Sequence, residues 1–183
     1  MNLTYREDKA AEVAALFLKM AGGKMSKIKL IKLLYIVERE SLIKRRRPVI
    51  FDRYVSMDRG PVMSKTLNII NGDQRETSGP WDEAISPPDT GHIVGIKNPP
   101  GKDNLSDAEV KLIEEVFKRY DKTNPWKLCD ETHFFPEWKD PDGSSIPITY
   151  KDILSGAGKT PDEIASILDE LNNIAQMDKA MEQ

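Results

Sequence analysis

The sequence predicts a mainly helical α+β fold: one compact helical domain over residues 1–183 with a small two- to three-stranded antiparallel sheet. Three observations carry this expectation. Apolar residues recur at helical spacing in several separate segments, each opened by a capping residue or closed by glycine or proline. One of those segments, Leu30 to Val37, is apolar nearly all round, as in a helix covered on several sides. Two short runs, Arg53 to Met57 and His92 to Ile96, combine β-forming residues with flanking turn residues.

Taken in order, Thr4-Tyr5-Arg6-Glu7 fits a capping box that opens a first helix with Val13, Leu16, Phe17 and Met20 on one face. Gly22-Gly23 closes it. Ser26 caps a second helix running to about Ile43, in which Lys32 interrupts the apolar run. Lys32 shares a narrow stripe with Lys29, Ile36 and Arg39 that is expected to reach solvent or a partner. Pro48 stops helical continuation. The strand Arg53 to Met57 leads into the turn Asp58-Arg59-Gly60, and Pro61 suits the first turn of a third helix ending near Asn71-Gly72. Residues 73 to 90 read as an irregular loop, and His92 to Ile96 is a second strand expected to pair with the first. Two such strands are marginal alone and must lean on the helices.

Ser106-Asp107-Ala108-Glu109 is a second capping box, followed by Val110, Ile113, Val116, Phe117 and Tyr120 on one helical face. Asn124-Pro125 restarts the helix with Trp126, Leu128 and Cys129. Residues 134 to 148 are turn-rich, Thr149 caps a short helix ending at Gly156, and Thr160-Pro161 opens the last, with Ile164, Ile167, Leu168 and Leu171 inward. No internal repeat or linker interrupts this single domain.

A chain of 183 residues, 39% apolar and 31% charged, can bury a core without disulfides or metals. No apolar run approaches the ~20 residues that span a bilayer. A lone cysteine and the absence of a secretion-type N-terminus give the cytoplasm as the expected location. Charge is uneven. Residues 24 to 53 hold ten Lys or Arg against Glu38, Glu40 and Asp52, a balance of +7 in a chain whose total is −3. Such a window attracts phosphates or an acidic partner, or is simply a solvated helix face with a basic loop.

The residues form no persuasive catalytic set, so a binding module rather than an enzyme is expected. Cys129 and His133 are four apart and would share a helical face, the start of a nucleophilic pair. That reading requires a depressed thiol pKa and rapid alkylation; a lone cysteine between Trp126 and Phe134 is more often a packing group. A structural metal takes four ligands, and His92 is the only other histidine, so neither metal nor cofactor is expected. Arg59-Gly60-Pro61 could turn backbone N–H groups toward an anion, but lacks the glycine spacing of a phosphate loop. A helix-turn-helix over the first two helices would bury its own recognition helix, leaving only Lys44 to Arg47 for sequence-independent phosphate contacts. Protein binding is the most economical use of the surface. Tyr35, Arg47, Arg53, Tyr54, Arg59, His133 and Trp138 are the candidate partner-binding residues, most of them aromatic and arginine types enriched at hot spots. Tyr35 is the one among them best suited to the core.

A series of short motifs runs in a fixed order: Lys32-Leu33-Leu34-Tyr35, Arg47-Pro48, Asp52-Arg53-Tyr54-Val55, Gly60-Pro61-Val62, Thr132-His133, Pro136-Glu137-Trp138-Lys139, and Pro147 to Leu154. This order, over about residues 8 to 172, resembles the Panacea domain, the SocA-like antitoxin family. The resemblance implies a helical fold with a small sheet and a bacterial, phage or mobile-element setting. It implies an antitoxin encoded beside a toxin and neutralising it by direct contact. Family partners are diverse, and one member is an adaptor delivering its toxin to an ATP-dependent protease. Adaptor action and a nucleic-acid-binding regulator using residues 44 to 47 are therefore the alternative expectations. Some relatives carry an added DNA-binding domain for which 183 residues leave no room, so autoregulation of the operon stays open. The expected partners are a cognate toxin, a protease if the adaptor mode applies, and a second copy in a homodimer.

Overall fold

The structure, a computed structural model, describes residues 3–73 and 78–181. Among them the order is α1 (Glu7–Met20), β1 (Lys24–Ser26), α2 (Lys27–Arg45), β2 (Tyr54–Met57), β3 (Gly60–Met63), α3 (Ser64–Asn71) and α4 (Pro80–Ala84). There follow β4 (Ile93–Gly95), α5 (Asp107–Tyr120), α6 (Pro125–His133), β5 (Ile146–Ile148), α7 (Tyr150–Gly156) and α8 (Pro161–Met181). The fold is α+β, with helices dominant.

Helix α2 is the axis. Leu30, Leu33, Leu34, Ile36 and Val37 are buried, and α1, α5, α6 and α7 pack around the helix. Each such side chain taken from water contributes about 1.5–3 kcal/mol, so this segment alone explains why the other helices gather there. Ser26 caps it through its side chain, accepting from the Lys29 N–H. It ends where Arg46 turns into the left-handed region, two residues ahead of Pro48. The capping boxes at Ser106 and Thr149 form as expected, and Asn124 accepts from the Trp126 N–H.

Five expectations are corrected. The strands Arg53 to Met57 and His92 to Ile96 do not pair with each other: β4 pairs antiparallel with β1, while β2 is central in an antiparallel sheet ordered β3-β2-β5. The sequence reading lacked the partners because β1, β3 and β5 have three or four residues each, too short for alternation to register. Pro61 lies in β3 and does not open α3, which starts at Ser64. Its first turn is instead capped by a distant residue: the Asp52 carboxylate accepts from the N–H groups of Lys65 and Thr66 and from the Thr66 hydroxyl. At the N-terminus, Arg6 and not Thr4 precedes α1, without a side-chain cap; the Glu7 carboxylate accepts from the Trp81 N–H of α4. That short helix falls in the expected loop over residues 73 to 90, of which 74–77 lie outside the described residues.

The fifth correction concerns the stripe on α2. Lys32 is 1% exposed and donates to the Pro61 carbonyl at 2.8 Å. Lys29 donates to the carbonyls of Asp121 and Thr123, and Arg39 pairs with Glu137. The stripe turns inward because backbone carbonyls and a carboxylate wait on the elements that cover it.

Candidate functional site

The motif residues cluster around α2 and the β2–β3 hairpin, and most use their polar atoms on the protein itself. Glu38 is fully buried. Its carboxylate accepts from the N–H groups of Val49, Ile50 and Phe51 and from the Tyr54 hydroxyl. Phe51, whose φ is 62°, is held in the left-handed region beside it. Burial pushes the Glu38 carboxyl up to about 7, while the Tyr54 hydroxyl and the surrounding N–H groups act in the opposite direction. The Glu137 carboxylate takes the Tyr35 hydroxyl at 3.0 Å and the Arg39 guanidinium. Burial, together with Glu137 nearby, raises the Tyr35 phenol; burial, together with Glu38, raises that of Tyr54.

A tighter cluster forms where the hairpin meets α6. Gly60, with φ 90°, lies so close to Thr132 Oγ1 and Lys32 Nζ that a Cβ would collide with the first and sit 2.9 Å from the second. Burial lowers the Lys32 ammonium to about 7. The His133 ring stands 4.3 Å from that of Trp138, its buried Nε2 without a hydrogen-bond partner among the described residues, and Trp138 Nε1 donates to the Met57 carbonyl. Cys129 is buried, and that burial raises its thiol, the direction opposite to an activated nucleophile. Among the described residues no group of three or more His, Cys, Asp or Glu side chains could hold a metal ion, and no helix is long and apolar enough to cross a membrane.

The seven sequence-predicted residues therefore separate. Tyr35 and Tyr54 are buried, their rings edge to face at 5.6 Å. His133 and Trp138 are half-buried beneath the hairpin. Arg47, Arg53 and Arg59 are exposed, but Arg53 and Arg59 flank β2 at opposite ends, roughly 13 Å of strand apart.

Two outward-facing surfaces result. At the hairpin tip, the Arg59 guanidinium lies 4.9 Å from the ring centre of Trp126, which is 53% exposed. Phe134, 84% exposed, stands at the other end of α6, about 12 Å along the helix axis. This is the docking candidate. Sequence reasoning missed Trp126 and Phe134 as surface residues, although a signal was present: Trp126 is about 200° from Leu128 around the helix and so off its buried face. At the opposite end of β2 an open groove of about 710 Å³ runs between the sheet, α7 and α8.

The basic turn is largely neutralised. Lys44 pairs with Glu40, Arg45 with Glu109 and Arg46 with Glu170, leaving Arg47 without an ion pair among the described residues.

The motifs framing α2 and the hairpin coincide with a family model, antitoxin SocA-like, Panacea domain, which matches residues 30–139, more than half of the chain. The chain belongs to this family. Membership assigns it an antitoxin-like domain, points to a toxin as partner in general, and suits a non-enzymatic role. The match is narrower than the motif series, leaving Pro147 to Leu154 outside it. Among curated proteins and among solved structures, nothing matches the chain.

Proposed function

We infer that this Panacea-domain protein is an antitoxin that acts as one folded domain and neutralises a co-encoded toxin by direct contact, docking through Arg59, Trp126 and Phe134. The observation that carries the docking site is the exposure of two large aromatics, one of them stacked under an arginine. Contacts of these residue types concentrate binding energy at protein interfaces. The Arg59–Trp126 stack preorganises both side chains, which limits the entropy lost on docking. The pairing of Lys44, Arg45 and Arg46 with carboxylates of the same chain weighs against the nucleic-acid reading of that segment.

The test is co-expression with the open reading frame encoded beside this one. Growth arrest by the neighbour alone, with rescue and co-purification when this chain is present, is the expected result. A triple Arg59→Ala, Trp126→Ala, Phe134→Ala variant should lose rescue while its melting temperature stays near that of wild type. A harmless neighbour, or one that stays toxic despite good expression of this chain, removes the pairing. A fall in toxin level on rescue would move the mechanism from occlusion to delivery to an ATP-dependent protease.

A further inference from the structure

We propose that the groove at the Arg53 end of β2 is a second recognition site, one that takes an extended acidic peptide segment with apolar anchor side chains. The floor is apolar: Val55, Ile148, Tyr150 and Leu168 bring together the sheet, α7 and α8. Arg53, Lys65 and Lys151 line the same groove, and none of the three makes an ion pair among the described residues. Lys65 stands over the ring of Tyr5, a contact that holds the ammonium at the groove without a carboxylate.

The single carboxylate in the lining, Asp52, is fully used. It accepts from the N–H groups of Arg53, Lys65 and Thr66 and from the Thr66 hydroxyl, so its oxygens are engaged within the protein and leave the groove cations' hydrogen-bond donors to a ligand. Asp152, next to Lys151, takes the N–H and hydroxyl of Thr149 on its Oδ2. Three cations without an ion pair among the described residues thus ring an apolar trough on a molecule whose net charge is −3. That local reversal of sign selects a negatively charged ligand with apolar parts.

The shape favours a peptide over a small anion. Small-molecule sites of this size enclose most of their ligand. Here Arg53, Pro147, Thr149 and Lys151 are all exposed, so one side is open and a chain can enter and leave along the groove. Simple strand addition is disfavoured, since Pro147 sits in the middle of the edge strand β5 and has no N–H to donate. Recognition must come from side chains: apolar anchors into the trough, carboxylates onto the three cations. The site is independent of the toxin-docking reading, because it lies at the other end of β2 from Arg59.

Panning a random heptapeptide phage library against the full chain tests this. The expected outcome is selection of peptides rich in Asp and Glu interspersed with Leu, Ile or Phe. A fluorescein-labelled selected peptide should bind with an affinity that falls at least tenfold in Arg53→Glu/Lys151→Glu, and falls as NaCl is raised. The milder Arg53→Ala/Lys151→Ala pair, which keeps Lys65, should weaken binding severalfold and guards against misfolding of the charge-reversed variant. Selected peptides without acidic enrichment, or equal binding by the variants, would overturn the proposal. Displacement of the peptide by ATP or laurate at lower concentration than by unlabelled peptide would make the groove a small-anion site instead. Concentration-dependent dimerisation lost in the same variants would assign it to a second copy. Rescue by the groove variants in the co-expression assay keeps the Arg59–Trp126–Phe134 reading separate from this one.

Discussion

The Tyr54 hydroxyl donates to Glu38 Oε2 at 2.8 Å, joining the central helix to the start of the hairpin strand through a carboxylate that also holds three backbone N–H groups. Removing the hydroxyl leaves a buried acceptor one partner short. Tyr54→Phe is therefore expected to cost about 1–3 kcal/mol and Tyr54→Ala about 3–5 kcal/mol. Urea denaturation measures both. A cost for Tyr54→Phe below half a kilocalorie would show that the carboxylate finds another donor.

Two buried groups predict opposite pH slopes. Glu38 keeps its proton up to about 7 in the folded chain but loses it near 4.5 when unfolded, so stability falls as pH rises from about 4.5 to 7. Lys32 releases its proton near 7 when folded and near 10.5 when unfolded, so stability rises from about 7 to 10.5. Each slope is at most about 1.4 kcal/mol per pH unit. Glu38→Gln should flatten the acid limb and Lys32→Met the alkaline one. Chemical denaturation across pH 5 to 10 reads both, and two unchanged limbs would place the titrations elsewhere.

Gly60→Ala meets a positive φ and a wall formed by Thr132 and Lys32. A loss of about 3 kcal/mol or more is expected, against about 1–2 kcal/mol for Gly143→Ala, where φ is also positive but the space is open. Equal costs would mean that the backbone angle alone matters.

At the proposed docking face the expectation reverses. Trp126→Ala and Arg59→Ala should each change stability by no more than about 0.5 kcal/mol. Binding of the toxin should weaken by about 2 kcal/mol, roughly thirtyfold, for Trp126→Ala. Calorimetric titration with the purified neighbour decides it, and unchanged affinity would move the interface off this face.

Cys129 should react slowly with iodoacetamide in the native state and rapidly in urea. Burial both blocks the sulfur and raises its pKa. Fast native alkylation, read by mass spectrometry, would reopen the thiol-enzyme reading.

The helical frame was legible because caps and apolar spacing are local signals: Ser26, Ser106, Asn124 and Thr149 all cap the helices expected of them. The small antiparallel sheet and two of its strands, β2 and β4, were legible as well, but β1, β3, β5 and the pairing were not. Pairing depends on contacts far apart in sequence, such as Val55 with Pro147. Asp52 shows the same limit, since its role as a remote cap for α3 follows only once the hairpin has folded back. The candidate site was half legible. Arginine and aromatic types pick out candidates for an interface, but type does not reveal facing. Tyr35, Tyr54 and Lys32 turn inward because Glu137, Glu38 and the Pro61 carbonyl receive them, and those acceptors lie 102, 16 and 29 residues away.

That inward turn has an evolutionary consequence. The polar atoms of Lys32, Glu38, Asp52 and Glu137 act as internal struts, so the frame does not depend on what its exterior displays. Residues such as Arg59, Trp126 and Phe134 can then be exchanged with little effect on folding. A lineage built on such a scaffold can change its adversary by substituting a few exterior positions, and a library randomised only there should yield mostly folded members with new specificities.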